Sequence, residues 1–293
     1  MDHLASIFNI RNTMLLLMIL TFTKGSTQIW ENYTTTEGIL SNNVQAINKD
    51  NNGNIWFGTT DGISVYDGSF WTEYDSQNGL LADHTRAIFF DSQDKAWCGN
   101  TQGVSMFDGT SWTSYATASP GFINSGQCFT EDLSGNIWMG TMDNLHMFDG
   151  NTWVIVDDTN VIDFPTVDAL ATDPNGNVWV GMGFQGLAVF DGNSWSTYTT
   201  QDGLINDGVT SILRDGDDMW IGTYEGLSKY DGSVWTNYTT ANGLISDVVL
   251  SLAKQNDLLW VGTNSGVSKF DGVNWVNYTT ADGLIGDYIF DMY

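Results

Sequence analysis

The chain has 293 residues, 42% apolar and only 15% charged, with 32 glycines and 3 prolines, a mix that fills a sizeable core with short strands and tight turns rather than amphipathic helices. Its 35 acidic residues against 9 basic ones leave a net charge of -26, which argues against nucleic acid and anionic lipid as partners and leaves neutral ligands, cations and basic proteins. Two cysteines, Cys98 and Cys128, do not make a disulfide framework.

Taken in chain order, residues 1–27 come first and stand apart. Arg11 precedes the apolar run Met14 to Phe22, and the small polar residues Gly25, Ser26 and Thr27 follow. The run is short for a transmembrane helix, so the segment reads as an export signal, with a retained anchor as the alternative. No other segment is apolar enough to form an integral membrane span. The expected location is outside the cytoplasm: periplasm, cell surface or medium.

Residues 28–293 form one repeat domain. Trp30, Trp71, Trp112, Trp153, Trp195, Trp235 and Trp275 recur every 40 to 42 residues, and Trp56, Trp97, Trp138, Trp179, Trp220 and Trp260 recur every 40 or 41. Together they are all 13 tryptophans. One repeat parses into four strands: a (VQAIN), a D-x-x-G-N turn, b (NIWFGT), c (ISVYD), an Asp-Gly turn, and d (FWTEY). The Asp-Gly pair suits a type I′ hairpin, in which both central residues take positive φ. Position three of strand a is small: Ala46, Ala87, Cys128, Ala169, Ser211 and Ser251. A four-stranded sheet has two faces to bury, and radial stacking buries both, with small residues where blades crowd and Trp in the outer wedge. The expected fold is all-β, a β-propeller of four-stranded antiparallel blades with six complete repeats. Strands a and d occur seven times but b and c six times. A seven-bladed plan is therefore expected, its last blade incomplete by about twenty residues, and the chain reads as part of a longer product.

The segments GNIWFGTTDGISVYDG, GNVWVGMGFQGLAVFDG and MWIGTYEGLSKYDG, with flanking runs such as YTTQDGL, resemble two-component regulator propeller repeats. The resemblance covers everything after residue 27. It implies a seven-bladed extracytoplasmic propeller, often the sensor half of a membrane histidine kinase in glycan-sensing bacteria, or part of a secreted protein.

Catalytic chemistry is sparse. No cofactor or metal site is expected. His3 lies in the leader, His146 replaces a strand c serine, and His84 sits on the loop rim. No nucleophile–histidine arrangement has a spacing logic. A lyase-type reading would rest on His84 with Glu225 and on fold analogy. The DNNGN, DLSGN and DPNGN turns lack the rest of a calcium loop and read as turn geometry. Asn32, Asn237 and Asn277 fit the N-glycosylation pattern.

Core positions repeat from blade to blade, while the loops of one rim do not. The b–c tips carry Asp61, Gln102, Met142, Phe184, Gln185, Tyr224, Glu225 and Asn264; the lead-ins to strand a carry Asn43, His84, Ser125, Thr166 and Tyr288. Aromatics among Asp, Asn and Gln suit a sugar, with stacking faces and hydroxyl partners. The expected site is a pocket on this rim biased to blades three to five, formed by Met142, Phe184, Gln185, Tyr224, Glu225 and His84, with Asp207 and Asp247 at the channel entrance. Its ligand would be a small molecule or oligosaccharide. The competing readings are a protein–protein interaction scaffold and loop drift without function.

Overall fold

The computed structural model describes residues 30–116, 126–156 and 166–293, together with the backbone of two strands, Leu4–Phe8 and Leu15–Leu20. The repeats fold into six four-stranded antiparallel sheets, each with its strands in the order a, b, c, d. Blade 1 contains Val44–Lys49, Ile55–Thr59, Gly62–Tyr66 and Trp71–Tyr74. Blades 2 to 6 repeat this plan, beginning at Thr85, Cys128, Ala169, Val209 and Val249. Consecutive a strands lie side by side and form the inner wall, so the loops leading into strand a and the b–c loops share one rim.

The core lies between blades rather than within them. Ala46, Trp56 and Ile63 of blade 1 pack with Ile88, Ala96 and Cys98 of blade 2, and blades 4 and 5 meet through Ala169, Trp179 and Leu187 against Val209, Met219 and Ile221. The strand b tryptophans are buried, Trp56 at 4% exposure, and Trp56 stacks on Tyr74 with centroids 5.9 Å apart. Burying ring area of this size is the main favourable term in each seam.

The D-x-x-G-N turns are braces. Asp50 accepts hydrogen bonds from the backbone N–H groups of Asn52 and Asn54, from Asn54 Nδ2 and from Trp56 Nε1. Asp91, Asp132 and Asp173 hold Trp97, Trp138 and Trp179 in the same way. The carboxylates are saturated by N–H donors, the turn role expected from the sequence. Blades 5 and 6 use two-residue hairpins instead, where Asp215 faces Asp218 and Gln255 faces Leu258. The ammonium groups of Lys229 and Lys269 lie over the indoles of Trp220 and Trp260 at 5.5 and 5.4 Å.

The c–d turn differs from the type I′ expectation. Gly68 has φ of 93°, but Asp67 is not in the positive-φ region. The aspartate stands before the turn, and its Oδ1 accepts the N–H groups of Ser69 and Phe70. A side chain that closes the turn itself needs only one left-handed residue, and glycine supplies it.

A seventh sector closes the ring. Trp30 packs on Tyr278 at 5.4 Å, and Glu31–Tyr33 occupies the strand d place. Ile289 and Met292 pack against blade 6, and the N–H of Ile47 in blade 1 donates to Asp291 at 2.8 Å. Asp291 stands where the other blades have Ala, Cys or Ser. This agrees with the seven-bladed plan. Leu15–Leu20 pairs antiparallel with Glu31–Tyr33, and Leu4–Phe8 pairs with Leu15–Leu20. Both strands belong to the segment read as an export signal. A short apolar run carries no periodicity of its own, and the open edge of Glu31–Tyr33 offers it a backbone ladder. The rest of that segment, with Arg11, Met14, Phe22, Gly25, Ser26 and Thr27, lies outside the described residues, as does His3.

Two outcomes follow from these contacts. Asp173→Ala orphans the indole N–H of buried Trp179 and breaks the a–b turn, and should cost about 2–3 kcal/mol in urea unfolding; Phe70→Ser, at a side chain 75% exposed, should stay within about 0.5 kcal/mol. The second outcome is a pH dependence. Enclosure by protein raises the Asp291 carboxyl to about 7, against about 3.9 for an unfolded aspartate. The contribution of a group raised in the folded state is complete below the unfolded value and is lost as pH rises through the folded one. Thermal stability should therefore decline between about pH 4 and 7, and Asp291→Asn should flatten that decline. Asp191 and Asp271 at c–d turns are lowered by hydrogen bonds from their own turns and act in the opposite sense, losing stability only as acid protonates them.

Candidate functional site

Two of the expected rim residues meet face to face. Phe184 on the b–c loop of blade 4 and Tyr224 on that of blade 5 stack with centroids 5.5 Å apart and planes 18° apart. The pair is turned to solvent, at 77% and 41% exposure. Backbone hydrogen bonds set its position: Val209 N–H of blade 5 donates to Gly183 O of blade 4, and within blade 5 Tyr224 N–H donates to Gly208 O. Gly208 lies beneath both rings. A methyl group there would come within 2.6 Å of Tyr224 and 3.2 Å of Phe184. Other blades carry a side chain at this place, Asn43, His84 or Tyr288 among them, so the glycine is the local condition for the stack.

Asp168, which the sequence reading passed over, belongs to the same neighbourhood. It precedes strand a of blade 4, where the other described blades have Gln45, Arg86, Gln127, Thr210, Leu250 and Phe290. Its Oδ2 would lie 3.7 Å from a methyl group on Gly183, beside the loop that carries Phe184. Burial raises its pKa. Tyr224 is raised by burial first, then by the charges of Asp168 and Tyr288. A comparison of this lead-in position across the repeats would have singled out the one acid at it in the described complete blades.

The remaining expected residues scatter. Gln185 and Glu225 are exposed beside the aromatic pair, and Met142 is 53% exposed on the loop of blade 3. Asp207 and Asp247 are turn braces: their Oδ1 atoms accept the N–H groups of Thr200 and Thr240, at 2.7 and 2.6 Å. His84 belongs to blade 2 and Glu225 to blade 5, so the pair nominated for lyase chemistry is divided between distant blades. Ser125 lies outside the described residues, and Thr166 donates to Met142 O at 3.2 Å.

His146 is fully buried in strand c of blade 3, and burial lowers it to about 4. In blades 1, 2, 5 and 6 the same place is a serine whose hydroxyl accepts the N–H of Leu40, Leu81, Ile205 or Ile245 from the segment leading into that blade. Blades 3 and 4 have His146 and Ala188 there, and their lead-in sequences lack the Gly-Leu or Gly-Ile pair of the other blades. Motif and serine are thus present or absent together. Asn237 and Asn277 accept from Ser228 and Ser268 and donate to Gly203 and Gly243, so their amides are engaged. Cys98 and Cys128 are both free, and burial pushes both thiols up, with Asp168 adding to Cys128. Among the described residues, no helix is long and apolar enough to cross a membrane.

A cleft of about 450 Å³ opens on the opposite face between blades 4 and 5, over Trp179 and Tyr230. Its Asp173, Asp191 and Asp231 hold their own turns. Most of its lining, including those aspartates and the aromatic floor, falls at repeat positions, with Asp217 added by the short hairpin of blade 5.

The sequence profile described as Two component regulator propeller matches residues 38–61 and 203–225. No curated protein matches the sequence. The extracellular domain of the hybrid two component system BT3049 from B. thetaiotaomicron is 18% identical over 97% of this chain and 48% of its own, with a TM-score of 0.76. PorZ, a surface component of the type-IX secretion system of Porphyromonas gingivalis, is 19% identical over 89% and 43%, with a TM-score of 0.69. Virginiamycin B lyase from Staphylococcus aureus is 12% identical over 80% and 84%, with a TM-score of 0.66. The chain spans about half the length of the first two. At these identities the likeness is one of fold.

Gly208→Ala tests the local geometry. Its new methyl group should separate the Phe184 and Tyr224 rings while leaving the seams intact. Ring-proton shifts of both residues should move in solution NMR, with the thermal midpoint almost unchanged.

Proposed function

We propose that this chain, which carries two-component regulator propeller repeats, is a non-catalytic ligand-binding module that works outside the cytoplasm, as the input part of a two-component regulatory system or as a surface glycan-binding protein. The observation that carries the reading is the exposed Phe184–Tyr224 stack, held on the rim by two blades at positions where other blades differ. A large aromatic pair left in water costs free energy that a stacked ligand recovers. Gln185 and Glu225 beside it supply hydrogen-bonding groups for hydroxyls. The apolar N-terminal run, which reads from sequence as an export signal, and the extracellular placement of structurally similar domains support the location. His84 and Glu225 come from different blades, and among the described residues no hydrogen-bonded acid–base pair stands beside the stack, which favours binding over lyase chemistry.

A second reading, a scaffold for a protein partner, is favoured by Phe70, Val234 and Val273, which lie at the c–d turns with exposures of 75%, 57% and 82%. These turns are on the outer part of the blades, away from the aromatic pair.

Calorimetry of a carbohydrate panel against the wild type, Phe184→Ala and Tyr224→Ala separates the two. Each substitution should weaken binding by about 1–3 kcal/mol. Equal binding by all three proteins removes the rim site. Absence of binding throughout the panel supports the scaffold.

A further inference from the structure

We propose that the rim site selects a sugar unit carrying a free ammonium group, with the sugar ring on the Phe184–Tyr224 pair and the ammonium paired to Asp168. The inference rests on the rim-binding reading and adds the charge class of the ligand.

Three observations carry it. First, Asp168 lies beside the Gly183 turn that presents Phe184, so its carboxylate and the stack belong to one surface formed by blades 4 and 5. Second, its carboxylate differs from the acids of the d–a loops in having no hydrogen-bond or ion-pair partner among the described residues, and from the exposed Glu225 in being half-buried. Asp83, Asp207, Asp247 and Asp287 each accept a backbone N–H seven residues upstream and brace a turn. The ion pairs among the described residues, Lys229 with Asp218 and Lys254 with Asp215, lie elsewhere. Third, Asp168 is half-buried, so its charge is poorly hydrated and a bound cation gains more from it than from a solvated surface acid.

Together these features sort sugars by charge. A neutral unit covers the stack but leaves Asp168 desolvated without a counter-charge. A sulfated or uronic unit meets that carboxylate, Glu225 and a chain of net charge -26, and is repelled. An ammonium group makes a charge-assisted contact with Asp168 and is attracted to the ring faces of the pair.

The test is calorimetry on the full chain at neutral pH, comparing short glucosamine oligomers with their N-acetylated counterparts, for the wild type, Asp168→Asn and Phe184→Ala. Wild type should bind the free-amine oligomer about tenfold more tightly, the scale of one charge-assisted contact. Asp168→Asn should erase that difference by weakening the free-amine oligomer while the N-acetylated oligomer binds as well or better, because no uncompensated charge is then left under it, while Phe184→Ala should weaken both. Equal or tighter binding of the N-acetylated oligomer by wild type overturns the ammonium inference and leaves the rim site standing. A free-amine preference that survives Asp168→Asn comes from diffuse negative charge and also overturns it. Binding of neither oligomer overturns the inference, and binding of no sugar in the wider panel removes the rim site as well. Thermal melts check that each variant is folded, and Asp168→Ser serves in place of Asp168→Asn if the latter unfolds.

Discussion

The structure depends on how a four-stranded sheet buries two faces at once. Each blade is apolar on both sides, and the seam between neighbours is a wedge, narrow at the inner wall and wide outside. The strand b tryptophan fills the wide end; Ala46 and its equivalents keep the narrow end open. An indole placed this deeply brings a polar N–H with it. The a–b turn answers with a carboxylate six residues earlier, as Asp50 does for Trp56. One hydrogen bond therefore ties turn, strand and seam together, and it recurs in four successive blades. Blades 5 and 6 shorten the turn and place a lysine over the face of the ring.

The same repetition explains why the acidic surplus says little about function. Most of the aspartates at turns accept N–H groups from their own turns, and in Asp149 and Asp191 those hydrogen bonds lower the pKa. Asp168 and Asp291 depart from this pattern. Asp291 replaces a small residue at the inner wall and accepts the Ile47 N–H across the seam between the last and first sectors. A carboxylate there links ring closure to protonation in a way that an alanine could not. Asp168 stands at the mouth, next to the only aromatic pair formed by two b–c loops among the described residues.

A repeat fold separates positions that must be the same from positions that are free to differ, and function is found among the latter. The rim satisfies this at blades 4 and 5, where Gly208 makes room for Tyr224 and the backbone bond from Val209 to Gly183 fixes the loop of Phe184. The cleft on the opposite face is lined mostly by repeat positions, and its Asp173, Asp191 and Asp231 serve the turns.

The sequence by itself determined the blade count, the strand order and the identity of the core. Its two tryptophan series fix the period, and strand alternation leaves few choices once the period is known. It also gave the turn role of the D-x-x-G-N aspartates, because their spacing to the tryptophan is constant. Tertiary structure decided what depends on neighbouring blades. The c–d turn needs one left-handed residue, since the aspartate side chain closes it from outside. Asp207 and Asp247 look like channel residues in the sequence, but a threonine N–H seven residues upstream takes each carboxylate. Phe184 and Tyr224 are forty residues apart, and only the radial stacking of blades brings their rings together. Asp168 joins them because the lead-in of a strand and the loop of the same blade converge at the rim, a proximity that no linear spacing encodes.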